Sequence, residues 1–231
     1  MPANNVLTKS GTMEGYKNEW RTPAAIFALA EQLFGPFNLD VAATTGNHLC
    51  PHWLGEGGLH PDALVAAWSL PGGEAVNAWM NPPYSNASTW VIKAFREARL
   101  GRASVTCLVN SATEVQWFHR CVFDLRATLR SGQFTLRQGV IFLPLYRRIK
   151  FIDPATGKAS KGSPPAGSAL LHFTRGLEAV NPLHGNLRTV RMVLDGLNGS
   201  MAEIDALEAQ ERAWIAALEG ADAEADAQVA D

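Results

Sequence analysis

The sequence predicts a doubly wound α/β domain with a mostly parallel sheet, an antiparallel end and a C-terminal helical tail. Three observations carry this expectation. Short apolar segments, "FNLDVAA", "AVNAWM" and "SVTCLVN", alternate with segments of helical periodicity through the first half of the chain. After them, short strand-like segments cluster with little helix between, as antiparallel neighbours do. No internal repeat interrupts the pattern, and 231 residues suffice for one such domain with an appendage.

The elements follow in order. Residues 1–18 read as a flexible arm, 19–200 as the folded domain and 201–231 as an acidic helical tail. Thr22 can cap a helix and Pro23 suits its first position, with Ile26, Phe27, Ala30, Leu33 and Phe34 on one apolar face. Gly35 and Pro36 stop that helix. "FNLDVAA" is a short buried strand ending in Asp40, and one or two helical turns are expected over Asp62 to Trp68. "AVNAWM" is the strand before two prolines, with an amphipathic helix from Trp90 to Leu100 behind it. "SVTCLVN" is a β-branched strand, and Glu114 to Phe123 reads as helix. Further strands are expected near Ala127 to Leu129, Gly139 to Leu143, Ile149 to Ile152 and Ala169 to Phe173. In the tail, Ile204, Leu207, Trp214, Ile215 and Leu218 share one face. That face suits packing on the body or pairing with a second copy in a homodimer.

Composition narrows the function. A hydrophobic content of 47% with 18% charged residues describes a globular chain. No apolar run approaches a membrane span, and the polar start lacks a signal-peptide core, so a cytoplasmic location without a membrane partner is expected. Cys50, Cys107 and Cys121 are unpatterned, which fits a reducing compartment. Charge is unevenly spread: the last 31 residues hold nine acids against Arg212, while Arg120 to Arg175 hold ten Lys and Arg against Asp124 and Asp153. Such a basic stretch either attracts a phosphate backbone or forms a solvated face. Within it, Arg147, Arg148 and Lys150 flank Tyr146 and Phe151, a mixture suited to phosphates and bases. His48, Cys50 and His52 do not match zinc spacings and read as loop packing, so no metal is expected.

The most informative stretch is Asn81-Pro82-Pro83-Tyr84. The prolines end the strand ladder and stiffen the backbone at the carboxyl end of a predicted parallel strand, where open α/β sheets bind ligands. The Asn81 side-chain oxygen and the Pro82 carbonyl then stand side by side as two acceptors. An exocyclic aromatic amine offers two matching N–H donors. Holding it by both bonds draws its lone pair out of conjugation with the ring, so that no strong general base is required. Tyr84 offers a flat face for an extruded base, a contact worth about 1 to 3 kcal/mol.

"EWRTP" (Glu19 to Pro23), "LDVAA" (Leu39 to Ala43) and "WMNPPYS" (Trp79 to Ser85), in that order, resemble the phage-type DNA adenine N6-methyltransferases that use S-adenosylmethionine. The likeness covers roughly Asn18 to Thr174. It implies a Rossmann-like methyltransferase fold, a double-stranded DNA substrate and action in a bacterial host, from a phage or prophage gene. It also implies that Asn81, Pro82, Pro83 and Tyr84 form the catalytic turn, and that Thr22, Pro23, Asp40 and Ala42 hold the methionine part of the cofactor. For the ribose or adenine end, Glu56 and Asp62 are candidates and Asp62 is preferred. The Gly-x-Gly loop common among methyltransferases is missing, leaving its job to Ala42 to Gly46. Cytosine N4, an RNA base or a protein glutamine also presents an NH₂ to such a turn, and a non-catalytic nucleic-acid-binding module stands as the alternative to any enzyme.

Overall fold

The computed structural model describes residues 20–160 and 166–177, together with Ala209 and Ala213, both helical. The arm at 1–18 and, apart from those two alanines, the tail at 201–231 with its dimer face lie outside the described residues. Nine elements organise the rest. They are α1 (Ala24–Phe34), β1 (Leu39–Asp40), β2 (His52–Trp53), β3 (Val76–Met80), α2 (Ala87–Arg99), β4 (Ala103–Asn110), α3 (Leu125–Ser131), β5 (Val140–Pro144) and β6 (Ser168–Phe173). The strands form one sheet in the order β2-β1-β3-β4-β6-β5. β2, β1, β3 and β4 are parallel, and β6 runs antiparallel to both β4 and β5. This is the expected mostly parallel sheet with an antiparallel end.

Register settles which helix covers which face. Trp79, Thr106 and His172 align across β3, β4 and β6, while their neighbours point to the opposite side. Phe27 of α1 meets Trp79 at 5.2 Å and Phe34 stacks on His172 at 4.5 Å, so α1 covers that face. Phe95 of α2 meets Phe173 at 5.6 Å, placing α2 on the other. The sheet is therefore doubly wound. His172 is buried with its Nδ1 2.9 Å from Thr106 Oγ1, and burial pushes it down to about 4, so its imidazole is neutral in the core.

The end of α1 is tied to the start of β3. Gly35 lies so close to the helix that a Cβ there would stand 2.6 Å from the Glu31 carbonyl oxygen, which only glycine tolerates. Asn77 Nδ2 donates to the Phe34 and Pro36 carbonyls at 2.7 and 2.9 Å, capping the helix from the strand.

Several expected elements differ. α1 starts at Ala24 with Pro23 as its cap residue, and no side chain caps it, so Thr22 does not serve as the cap. Asp62 to Trp68 forms turns and no helix. α2 begins three residues before Trp90, after a short 3₁₀ turn at Tyr84–Asn86. The helix expected over Glu114 to Phe123 is shorter and widens into a π-helical turn at Phe118–Val122. Ile149 to Ile152 makes only an isolated bridge from Ile152 to Arg21 and Ala159, because its partners are loops and not strands.

Residues 123–137 belong to a second compact unit. There the expected strand at Ala127 to Leu129 is the helix α3. Asp124 caps it, accepting from Ala127 N at 2.8 Å, and Gly132 ends it in the left-handed region at φ 68°. An aspartate before and a glycine after outweigh β propensity over so short a span. The unit closes on itself through a bridge between Phe123 and Leu136 and a Phe123–Phe134 stack at 5.1 Å.

Candidate active site

The site is built at the carboxyl edge of two neighbouring parallel strands. β1 ends at Asp40, which aligns with Trp79 of β3, and β3 ends at Met80 with Asn81 next. The acid and the asparagine, 41 positions apart in sequence, thus leave the sheet side by side. A third segment joins them: Asn81 Nδ2 donates to the Trp20 main-chain carbonyl at 3.0 Å. That bond brings Thr22 and Pro23, at the start of α1, to the same edge.

Each group has a distinct environment. Asp40 is only 4% exposed, accepts from Ala42 N at 3.3 Å and from Leu49 N at 3.0 Å, and pairs with no lysine or arginine among the described residues. Burial pushes its carboxyl up to about 6, while the two N–H bonds and nearby His48 pull the other way. Thr22 is buried, and no group among the described residues bonds its hydroxyl. The start of α1 beside it carries no side-chain cap, so its first N–H groups are open to an anion.

The loops that follow β1 and β2 run together beyond the sheet. Ala43 N donates to the Leu54 carbonyl at 3.3 Å and Thr45 N to the Glu56 carbonyl at 3.0 Å. Gly55, at φ 126°, allows this: a Cβ there would lie 1.9 Å from the Ala43 oxygen. The glycine that permits close approach comes from the second loop, whereas the sequence directs attention to Ala42 to Gly46. Glu56 lies in this zipped pair of loops. Asp62 is exposed like Glu56 and is tied to the same loop through His60, whose carbonyl accepts from Gly55 N at 2.8 Å; its Oδ1 accepts from Leu64 N at 2.9 Å.

On the other side, Pro82 is buried and Asn81 and Tyr84 are half-buried. With Nδ2 committed to Trp20, Asn81 Oδ1 keeps its acceptor capacity, and no described residue bonds it. Tyr84 packs against Phe151, centroids 5.6 Å apart at 76°. Its hydroxyl is buried without a partner among the described residues, and burial pushes the phenol well above its ordinary range.

Arg147, Arg148 and Lys150 are exposed, and Tyr146 is 93% exposed with the Arg147 guanidinium 5.5 Å from its ring. Between and after them, Ile149 and Phe151 are buried in the core. This basic segment reaches the site: Arg21 and Ile152 exchange backbone hydrogen bonds of 3.0 Å, and Phe151 stacks on Trp20 at 5.6 Å. The Trp20 carbonyl leaves no trace in the sequence, since a main-chain acceptor belongs to no motif, and Phe151, expected with Tyr146 among groups suited to bases, is instead fully buried in the core. Of the three residues expected to pack in the loop, His48 stacks on Trp53 at 4.0 Å with its Nδ1 3.0 Å from the Cys50 carbonyl and Cys50 is buried, but His52 is part of strand β2 beside Leu39.

A family model described as DNA N-6-adenine-methyltransferase (Dam) matches residues 9–183, which take in all of these groups. The chain belongs to the DNA N-6-adenine-methyltransferase family. It is 33% identical over 118 residues to the DNA N-6-adenine-methyltransferase of Haemophilus phage HP1, covering 51% of this chain and 64% of that one. To the enzyme of the same description from Escherichia phage T1 it is 26% identical over 166 residues, covering 67% and 62%. The chain thus spans a little under two thirds of the relatives it matches. Among solved structures, 23S rRNA methyltransferase ErmE aligns at 12% identity with a TM-score of 0.38, covering 79% of this chain and 81% of that one. At that score the alignment adds nothing to the strand order already described. The described residues of the three segments on which the resemblance in sequence rests meet at this sheet edge.

Proposed function

We propose that the protein transfers a methyl group from S-adenosylmethionine to N6 of adenine in double-stranded DNA. The observation behind this reading is the Asn81 amide, whose NH₂ half is bound to the Trp20 carbonyl while no described residue bonds its oxygen, which stays available as an acceptor. Membership of the family supports the choice of adenine in DNA.

The residues present fit the cofactor. A buried carboxylate held up near 6 and paired with no lysine or arginine among the described residues is suited to an ammonium, and Asp40 is that group. The open N–H groups at the start of α1 and the unpaired Thr22 hydroxyl suit a carboxylate. Ala42 leaves space beside Asp40. Glu56 and Asp62 are both exposed acids in the connection that follows β2, and either carboxylate is free to meet the ribose hydroxyls. When bound, S-adenosylmethionine supplies a methyl group activated on sulfur.

The remaining work falls to the chain. A duplex adenine has its N6 paired, so the base must be flipped out. Asn81 Oδ1 and the Pro82 carbonyl accept its two N–H groups and localise the lone pair on N6. Pro83 stiffens the turn, and Tyr84 stacks on the base. As N6 gains a fourth bond its proton becomes acidic and leaves to these acceptors or to water. Arg147, Arg148 and Lys150 bind phosphates on the flanking duplex.

Nucleoside mass spectrometry of duplex DNA incubated with the protein and S-adenosylmethionine tests the reading. N6-methyladenine is the expected product. N4-methylcytosine, methylation confined to RNA or protein, or DNA binding with no product at all would each refute it.

A further inference from the structure

We propose that Trp20 and Phe151 are positioning residues for methyl transfer, fixing which end of the Asn81 amide faces the target amine. This rests on the functional reading above. An asparagine side chain can turn over with little change of shape, yet only its oxygen can receive an N–H from adenine. Turned over, it would oppose one NH₂ to another. The Trp20 carbonyl, which can only accept, takes the Nδ2 half at 3.0 Å and so selects the productive orientation.

That selection works only if the carbonyl itself is held. Arg21, the next residue, exchanges two 3.0 Å backbone bonds with Ile152. The Trp20 ring lies on Phe151 at 5.6 Å and 20°, and Phe151 is fully buried. The same Phe151 ring meets Tyr84 at 5.6 Å and 76°. One core phenylalanine therefore locates both the acceptor, through Trp20, and the stacking surface, directly. It is also the residue after Lys150, so the exposed basic segment and the catalytic turn share an anchor.

The test uses the full chain with Trp20→Ala, Trp20→Phe and Phe151→Leu, the last keeping an apolar side chain in the core. Trp20→Ala should bind S-adenosylmethionine and DNA as the parent does, keep KM for DNA, and lose about 100-fold in kcat, the scale of an ångström of misplacement. Phe151→Leu should add to that kcat loss a rise in KM for DNA, because the Phe151 ring also seats Tyr84. Trp20→Phe, which retains the stack, should recover most of that loss. A second readout does not depend on activity: the Asn81 side-chain NH₂ resonances, assigned by their absence in Asn81→Ala, should exchange slowly in the parent and fast in Trp20→Ala. Unchanged kcat in Trp20→Ala, a loss that appears only in KM, or unchanged amide exchange would overturn the proposal. If the parent methylates no adenine, the functional reading fails and the amide exchange alone decides whether the latch exists.

Discussion

At the scale of single residues, Asp40 sets a pH dependence with a definite sign. Burial raises its pKa to about 6 in the free protein, and an ammonium placed against it would draw that value down. Binding then favours the ionised form, so affinity for S-adenosylmethionine should be level above about pH 6 and weaken as pH falls through it. Calorimetry from about pH 5 to about pH 8 measures this, and Asp40→Asn should bind weakly with a flat profile. Equal affinity of the parent at both ends of that range would remove Asp40 from the cofactor site. The placement of Asp40 at the end of β1 and of Asn81 just past β3 is legible in the sequence, because a strand-terminal acid and a proline pair each leave a local trace. The bond from Asn81 to Trp20 is not, since it joins a side chain to a backbone oxygen 61 residues away. Thr22 illustrates the reverse error. Its position suggested a cap, but the helix begins one residue later than its chemistry implied, leaving the hydroxyl for another partner.

At the scale of elements, α2 carries a buried ionic cluster that fastens the long β2–β3 connection. Glu97 is fully buried, its Oε1 2.6 Å from Lys93 Nζ and 3.6 Å from Arg102, while Oε2 accepts from Trp68 N at 3.1 Å. Removing the acid strands a buried ammonium and a buried N–H. Glu97→Ala should cost about 3 to 5 kcal/mol in urea unfolding, and Glu97→Gln less because it keeps an acceptor for Trp68. A loss below about 1 kcal/mol for Glu97→Ala would mean that the cluster is incidental. β3 and β4 can be read from apolar runs that the fold buries on both faces, and the two large helices from apolar residues at helical spacing. Shorter elements cannot. α3 and the loop at Asp62 to Trp68 span too few residues for periodicity to outvote caps and turns, and Ile149 to Ile152 alternates like a strand with only loops beside it. Its burial pattern was correctly apparent; its lack of a ladder depends on the rest of the fold.

At the scale of the whole molecule, the proposed binding of duplex DNA by a chain of net charge −2 has to come from locally concentrated cations. The ten cations between Arg120 and Arg175 include Arg147, Arg148 and Lys150 on an exposed segment whose alternate residues are core. Replacing these three with alanine should weaken binding to all duplex sequences alike and lower the slope of log affinity against log salt by about 1 per cation. An unchanged slope would assign the duplex to another surface. The central claim is that the three segments meeting at the ends of β1 and β3 bring a held amine to an activated methyl. Single-turnover methylation by Asn81→Ala, at saturating S-adenosylmethionine and DNA, tests it most directly. Affinity for both ligands should match the parent's, and the transfer rate should fall by on the order of 100-fold or more. Transfer at the parental rate would contradict it.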